Sequence, residues 1–310
     1  MASILPALSE NPHERTVLAS CRTFFSSVGS TVVSAFALTL VDKFGNEALG
    51  FRIVMIIFGV IGCLVFFFCF FNTKERVMVQ AEKVSLKANI SCLLHNGPWK
   101  LFALNIVWFF GGYVIQASAV IYYFTYVVQN VAMVQIVATI TTLVPIVTNL
   151  LAPFFVKLTS KRNLMIGGSA VHAGGLLWRY QCTGADWRRS DRSSRIGLKG
   201  SMHFAMQPDP VDYGEWKSGV NTAGTLSAVN GFIGKVSMAI ASSIGAALLQ
   251  FGGFDAALSV QSATAQSYIT TMYSWVPIVM NIATIITMMF YNLDKIYPQI
   301  IKELDERRAA

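Results

Sequence analysis

Ile53-Val-Met-Ile-Ile-Phe-Gly-Val-Ile-Gly-Cys-Leu-Val-Phe-Phe-Phe-Cys-Phe-Phe71 runs for 19 residues without a charge. A hydrocarbon layer about 30 Å thick is crossed by about 20 apolar residues in a helix. In lipid every backbone N–H and C=O must be paired within the segment itself, so a run of this kind can only be a spanning helix. Further uncharged runs cover Thr23 to Val41, Leu101 to Val156 and Tyr268 to Leu293, the middle one long enough for two spans divided near Gln129 and Asn130. Ser218 to Phe254 holds one more, interrupted by a single charge, Lys235. The expected fold class is all-α, a polytopic membrane helical bundle. A shorter run, Asn163 to Trp178, is diluted by Gly167, Gly168, Gly174 and Gly175, and reads as interfacial or re-entrant.

Composition supports this class. The 310 residues are 54% hydrophobic and 13% charged, against about 25% charge in soluble domains. Lys and Arg accumulate in cytoplasmic loops. With the N-terminus inside, fifteen basic residues lie on that side, among them Arg15, Arg22, Lys157, Lys161, Arg162 and Lys217, against Lys43 and Arg52 outside. Both termini are expected in the cytoplasm, in a bacterial-type inner membrane. The net charge of +8 then reads as a topology signal and an attraction to anionic lipid, not as a nucleic-acid surface. Cys21, Cys63, Cys69, Cys92 and Cys182 show no metal-type spacing and read as small buried hydrophobes.

Lys235 lies 17 positions after Ser218 and 19 before Phe254, too central for its stem to reach the interface easily. An ionisable group at that depth costs at least about 2.5 kcal/mol on insertion scales, so it marks a polar cavity or a partner. At helical spacing it is accompanied by Ser227, Ala228, Gly231, Ala239 and Ser242, all small. Arg22 stands at the start of an uncharged run, where basic residues commonly anchor at the interface. Asp209, Asp212 and Glu215 precede the Lys235 run, with Asp212 and Glu215 placed to favour a helix N-terminus. No water-activating partner accompanies these acids, and no paired Asp motif, metal cluster or nucleophile with its base appears in the spans. An enzyme is therefore not expected, nor a catalytic or metal residue. His172 reads as a packed histidine.

Between Arg179 and Gly200 the composition changes abruptly to six basic and two acidic residues with almost no aliphatic side chain. It reads either as an ordinary solvated loop or, the sharper reading, as a stretch translated out of frame.

Gln207-Pro-Asp-Pro-Val-Asp-Tyr-Gly-Glu-Trp-Lys-Ser-Gly219 resembles the loop before the eleventh helix of the glycoside-pentoside-hexuronide:cation symporters. Asn11 to Leu18 with Arg22 to Phe25 resembles the entry to that family's fifth helix, and Phe70 to Val77 the end of its sixth. The resemblance implies a major facilitator fold, here a partial one. On it, residues 1–71 are a remnant of the N-terminal bundle, 72–100 a cytoplasmic linker, and 101–310 the C-terminal bundle with an aberrant polar insert over 179–201.

The resemblance also implies cation-coupled symport of a sugar or glycoside, with Na+ or H+ as the coupling ion and no other cofactor. Lys235 and Arg22 take substrate-binding places, and Asp209, Asp212 and Glu215 form a possible cytoplasmic gate. Helices one to four, which carry the family's cation carboxylates, are expected to be missing and transport therefore impaired. The alternative is a non-transporting membrane fragment of such a carrier.

Overall fold

The computed structural model describes residues 47–72, 86–130, 159–181, 198–219 and 222–309, with single positions and short runs between 18 and 44 and between 133 and 156. Every regular element among the described residues is helical. The chain divides into two compact units, Met1–Gln80 and Ala81–Ala310.

In the first unit α1 spans Glu47–Asn72. It is long and apolar enough to cross a membrane, and Met55, Leu64, Phe68 and Phe71 are exposed on different sides. A helix apolar all round belongs in lipid or in the middle of a large bundle. Cys63 is exposed on this helix and Cys69 half-buried, which corrects the expectation that the cysteines are buried. Where α1 begins, a Cβ on Gly50 would stand 2.6 Å from the Val41 carbonyl oxygen, so glycine is required for the close turn. The expected span Thr23 to Val41 is described at twelve of its nineteen positions, all of them helical.

The second unit begins with α2, Leu86–His95, a helix within the connection expected over 72–100. Asn96 then caps α3, Gly97–Tyr122, its side-chain oxygen accepting from the Trp99 backbone N–H at 2.9 Å. Helix α3 continues as a π-turn over Tyr123–Val127, and the chain leaves helical geometry at Gln129, whose φ is 56°. That break falls at the division expected from the sequence.

Among the continuously described residues four helices come next: α4, Lys161–Gln181; α5, Leu198–Ala205; α6, Asp209–Ser218; and α7, Ala223–Phe251. The run Asn163 to Trp178, expected to be marginal, is part of a continuous 21-residue helix, packed on α5 and on the last apolar helix. That helix has three parts, α8 (Ala263–Thr270), a π-turn (Thr271–Trp275) and α9 (Val276–Met289). The polar α10, Leu293–Ala309, closes the unit.

Gly97–Val127, Ala223–Phe251 and Ala263–Met289 are long and apolar enough to cross a membrane. Helix α3 packs against both α7 and α9, and small residues bring their backbones close. A Cβ on Gly112 would meet Met280 Cβ at 3.1 Å, and one on Gly234 would meet the Phe110 ring at 3.3 Å. The two π-turns face each other, with Tyr123 stacked on Tyr273 at 4.5 Å between centroids. At the opposite end Phe102, Met165, Met206, Tyr291, Ile300 and Leu304 form the core that seats α10.

Candidate functional site

Helix α7 buries Leu226, Asn230, Gly234, Ser237, Ala241 and Gly245 against the bundle. These recur every three or four residues and so occupy one face. Two strips stand out in the exposed remainder. One strip holds the large apolar residues Phe232, Val236, Ile240 and Ile244. The other holds Gly224, Ala228, Gly231, Ala239, Ser242 and Ala246, with Lys235 at its middle, all exposed. Lys235 thus stands on a strip without bulky side chains, between the packed face and the apolar one. It lies twelve residues into the helix, about 18 Å along its axis.

A second cluster forms where α4, α6 and α10 meet. Lys161 Nζ donates to Asp209 Oδ1 at 2.7 Å and to the Ala205 carbonyl at 3.1 Å. Asp209 is 2% exposed, and its carboxyl is pushed up to about 6, because burial penalises the charge more than the Lys161 ammonium favours it. The Tyr297 hydroxyl donates to Asp212 Oδ2 at 2.7 Å. Glu215 is half-buried. It lies near the C-terminal end of α6, and Asp209 and Asp212 are the acids in the first turn, which corrects the expected placing of Glu215 at a helix N-terminus. Farther along, Trp216 Nε1 donates to Glu303 Oε2 at 2.6 Å, and this bond holds the Glu303 carboxyl below its usual range.

The partner residues on α4 escaped the sequence reading. Lys161 and Arg162 occupy the first turn of a helix, the end that disfavours cations. That unfavourable placement was the available signal that something else holds them. Arg162 donates through Nε to the Met288 carbonyl at 2.7 Å and through Nη2 to that of Met289 at 2.6 Å, capping the C-terminal end of α9.

A third network lies inside the bundle. Asn281, 2% exposed, accepts from Lys199 Nζ at 2.8 Å and faces His172 Nδ1 through Nδ2 at 3.1 Å, so that ring nitrogen is the acceptor. His203, one turn after Lys199, lies flat on Phe109 at 4.3 Å. His172 and Asn281 were each legible only as lone polar residues in apolar runs.

Of the expected site residues, Lys235 and the three acids lie on separate helices, α7 and α6. Arg22 lies outside the described residues. Three long apolar helices packed side by side, a charge on a small-residue strip and an ion-paired cluster beyond them make a helical bundle suited to a membrane. The fold resembles that of a solved major facilitator superfamily transporter, FucP in its outward conformation. Its TM-score is 0.61 at 13% identity, with 94% of this chain and 71% of that one covered.

The sequence matches the family described as MFS/sugar transport protein over residues 1–189 and 192–295, and the chain belongs to that family. The match parts at Ser190 and Asp191, within the polar run. The chain is 32% identical to an isoprimeverose transporter of Lactiplantibacillus pentosus, covering 100% of this chain and 67% of the relative. It is 24% identical to a putative sulfoquinovose importer of Escherichia coli (strain K12), covering 99% and 67%. The chain thus spans about two thirds of the length of these relatives.

Proposed function

We propose that this protein is a glycoside-pentoside-hexuronide:cation symporter that binds a sugar or glycoside with a coupling Na+ or H+ in a bacterial inner membrane. Both termini and α6 lie on the cytoplasmic side in this reading. Lys235 points into the substrate pathway and donates to sugar hydroxyls or to an anionic substituent, and Arg22 is a second proposed substrate-binding residue. Asp209, Asp212 and Glu215, with Lys161 and Tyr297, form the cytoplasmic gate. Binding of both solutes favours closure around them, and alternating access follows.

The placing of Lys235 on the small-residue strip of α7, apart from the apolar strip, supports this reading best. Lipid accommodates Phe232, Val236, Ile240 and Ile244, whereas a strip of glycine, alanine and serine around an ammonium suits a wet cavity. Relatives named for isoprimeverose and sulfoquinovose make a sugar or glycoside the expected solute.

Cysteines placed singly at 235 and 240 test it. A membrane-impermeant maleimide should modify Lys235→Cys quickly and Ile240→Cys hardly at all, and a transported glycoside should slow the first reaction. Equal reactivity at both positions, or none at 235, contradicts the proposal. Cation-driven uptake in liposomes then separates transport from binding.

A further inference from the structure

Helix α2, the start of α3 and helix α6 line an open notch of about 250 Å³. Its floor is held by Asn96, whose Nδ2 donates to the Pro210 carbonyl at 2.7 Å. Gly214 lets α6 lie this close, since a Cβ there would stand 3.1 Å from the same nitrogen. The notch is therefore a fixed feature of the packing between α3 and α6.

Its lining includes Ser91, Cys92, His95, Tyr213, Lys217 and Ser218. The basic lining side chains are His95 and Lys217, and no carboxylate lines the space. The Lys217 ammonium lies 5.9 Å from the Tyr213 ring centroid, and among the described residues no carboxylate comes within ion-pair distance of it. The His95 ring engages the Ser91 carbonyl through Nδ1 at 2.8 Å, which orients the ring and leaves Nε2 for another partner. The notch itself is largely apolar, and an ammonium, an imidazole nitrogen and the Ser91 hydroxyl among its lining groups match the oxygens of a phosphate group. The stem of Lys217 and the Tyr213 ring supply apolar wall for a short carbon skeleton beside it.

We propose that this notch binds a phosphate ester, either a small phosphorylated metabolite in solution or the headgroup of an anionic phospholipid. The site joins α2 to the C-terminal end of the same α6 that carries Asp209 and Asp212. Its occupant therefore bridges His95 and Lys217 and restrains α6, which makes it a regulatory site separate from the sugar pathway.

Cys92, in the lining, is the reporter. In the full chain with its other cysteines replaced by serine, alkylation of Cys92 by a maleimide is timed in detergent with glycerol 3-phosphate, inorganic phosphate or potassium chloride at equal ionic strength. It is then timed in nanodiscs of phosphatidylcholine or of phosphatidylglycerol without added phosphate. Near saturation the bound ligand should slow the reaction about tenfold. Slowing by the soluble phosphates identifies a metabolite, and slowing only in phosphatidylglycerol identifies a lipid headgroup.

Protection should vanish in the double variant His95→Gln, Lys217→Gln and persist in Lys217→Arg, whose retained protection shows the fold intact. No slowing in either medium, slowing by chloride equal to that by phosphate, or protection that survives the double variant overturns the proposal. The readout involves neither sugar nor uptake, so it stands or falls apart from the transport reading.

Discussion

Lys161 and Asp209 meet at 2.7 Å with the lysine side chain 18% and the aspartate side chain 3% exposed, so the pair ties α4 to α6 with the carboxylate as the more deeply buried member. Removing one partner of such a pair is more costly than the pair is stabilising, because a charge is left without compensation. Lys161→Met strands the buried Asp209 and should lower unfolding free energy in detergent by about 3–5 kcal/mol. Asp209→Asn leaves the half-solvated lysine its bond to Ala205 and should cost less. Equal losses contradict this asymmetry.

The same carboxyl predicts a pH dependence. Asp209 is raised from 3.8 to about 6 in the fold, so the folded state holds the proton more tightly than the unfolded chain does. Its stabilising contribution is complete below about pH 4 and is lost as pH rises through about 6. Relative to Asp209→Asn, which does not titrate, the unaltered protein should gain up to about 3 kcal/mol between pH 7 and pH 4. Protonation removes the carboxylate charge while the Lys161 ammonium remains, so the ion pair becomes a hydrogen bond to a neutral carboxyl. A stability difference flat across that range refutes the assignment.

Asn281 is the shared partner of Lys199 and His172. Asn281→Leu keeps the volume but leaves the Lys199 ammonium without its acceptor, and should cost about 1–3 kcal/mol. Loosening of α5 should appear as faster tryptic cleavage at Lys199. Unchanged melting and cleavage would show that the network carries no stability.

Gly112 faces Met280, where a Cβ is already close at 3.1 Å. Gly112→Leu should separate α3 from α9 and destabilise by about 1–3 kcal/mol through overpacking. Gly112→Ala needs only a small shift of a flexible side chain. A melting series that fails to rank Leu below Ala contradicts the packing described.

Lys235→Ile should leave melting within about 0.5 kcal/mol, because an exposed side chain with no described partner has little packing to lose. On the proposed function it should abolish glycoside protection and uptake. Loss of both folding and binding would assign the lysine a structural place.

Much of this protein was legible in its amino-acid order. Spanning segments are set by length and apolarity alone, since lipid obliges each to pair its own backbone, and so Ile53 to Phe71, the break at Gln129 and the Lys235 run could be read directly. The stretch from Gln207 to Gly219 carried the family resemblance for a similar reason, its prolines, acids and aromatics being contiguous. What only the tertiary structure decided is which side chains meet. Lys161 reaches Asp209 across 48 positions, Lys199 reaches Asn281 across 82, and Tyr297 reaches Asp212 across 85. Beyond a place in the first turn of a helix, nothing local distinguishes these lysines from loop charges, because their roles arise only when packing brings partners from distant helices within reach.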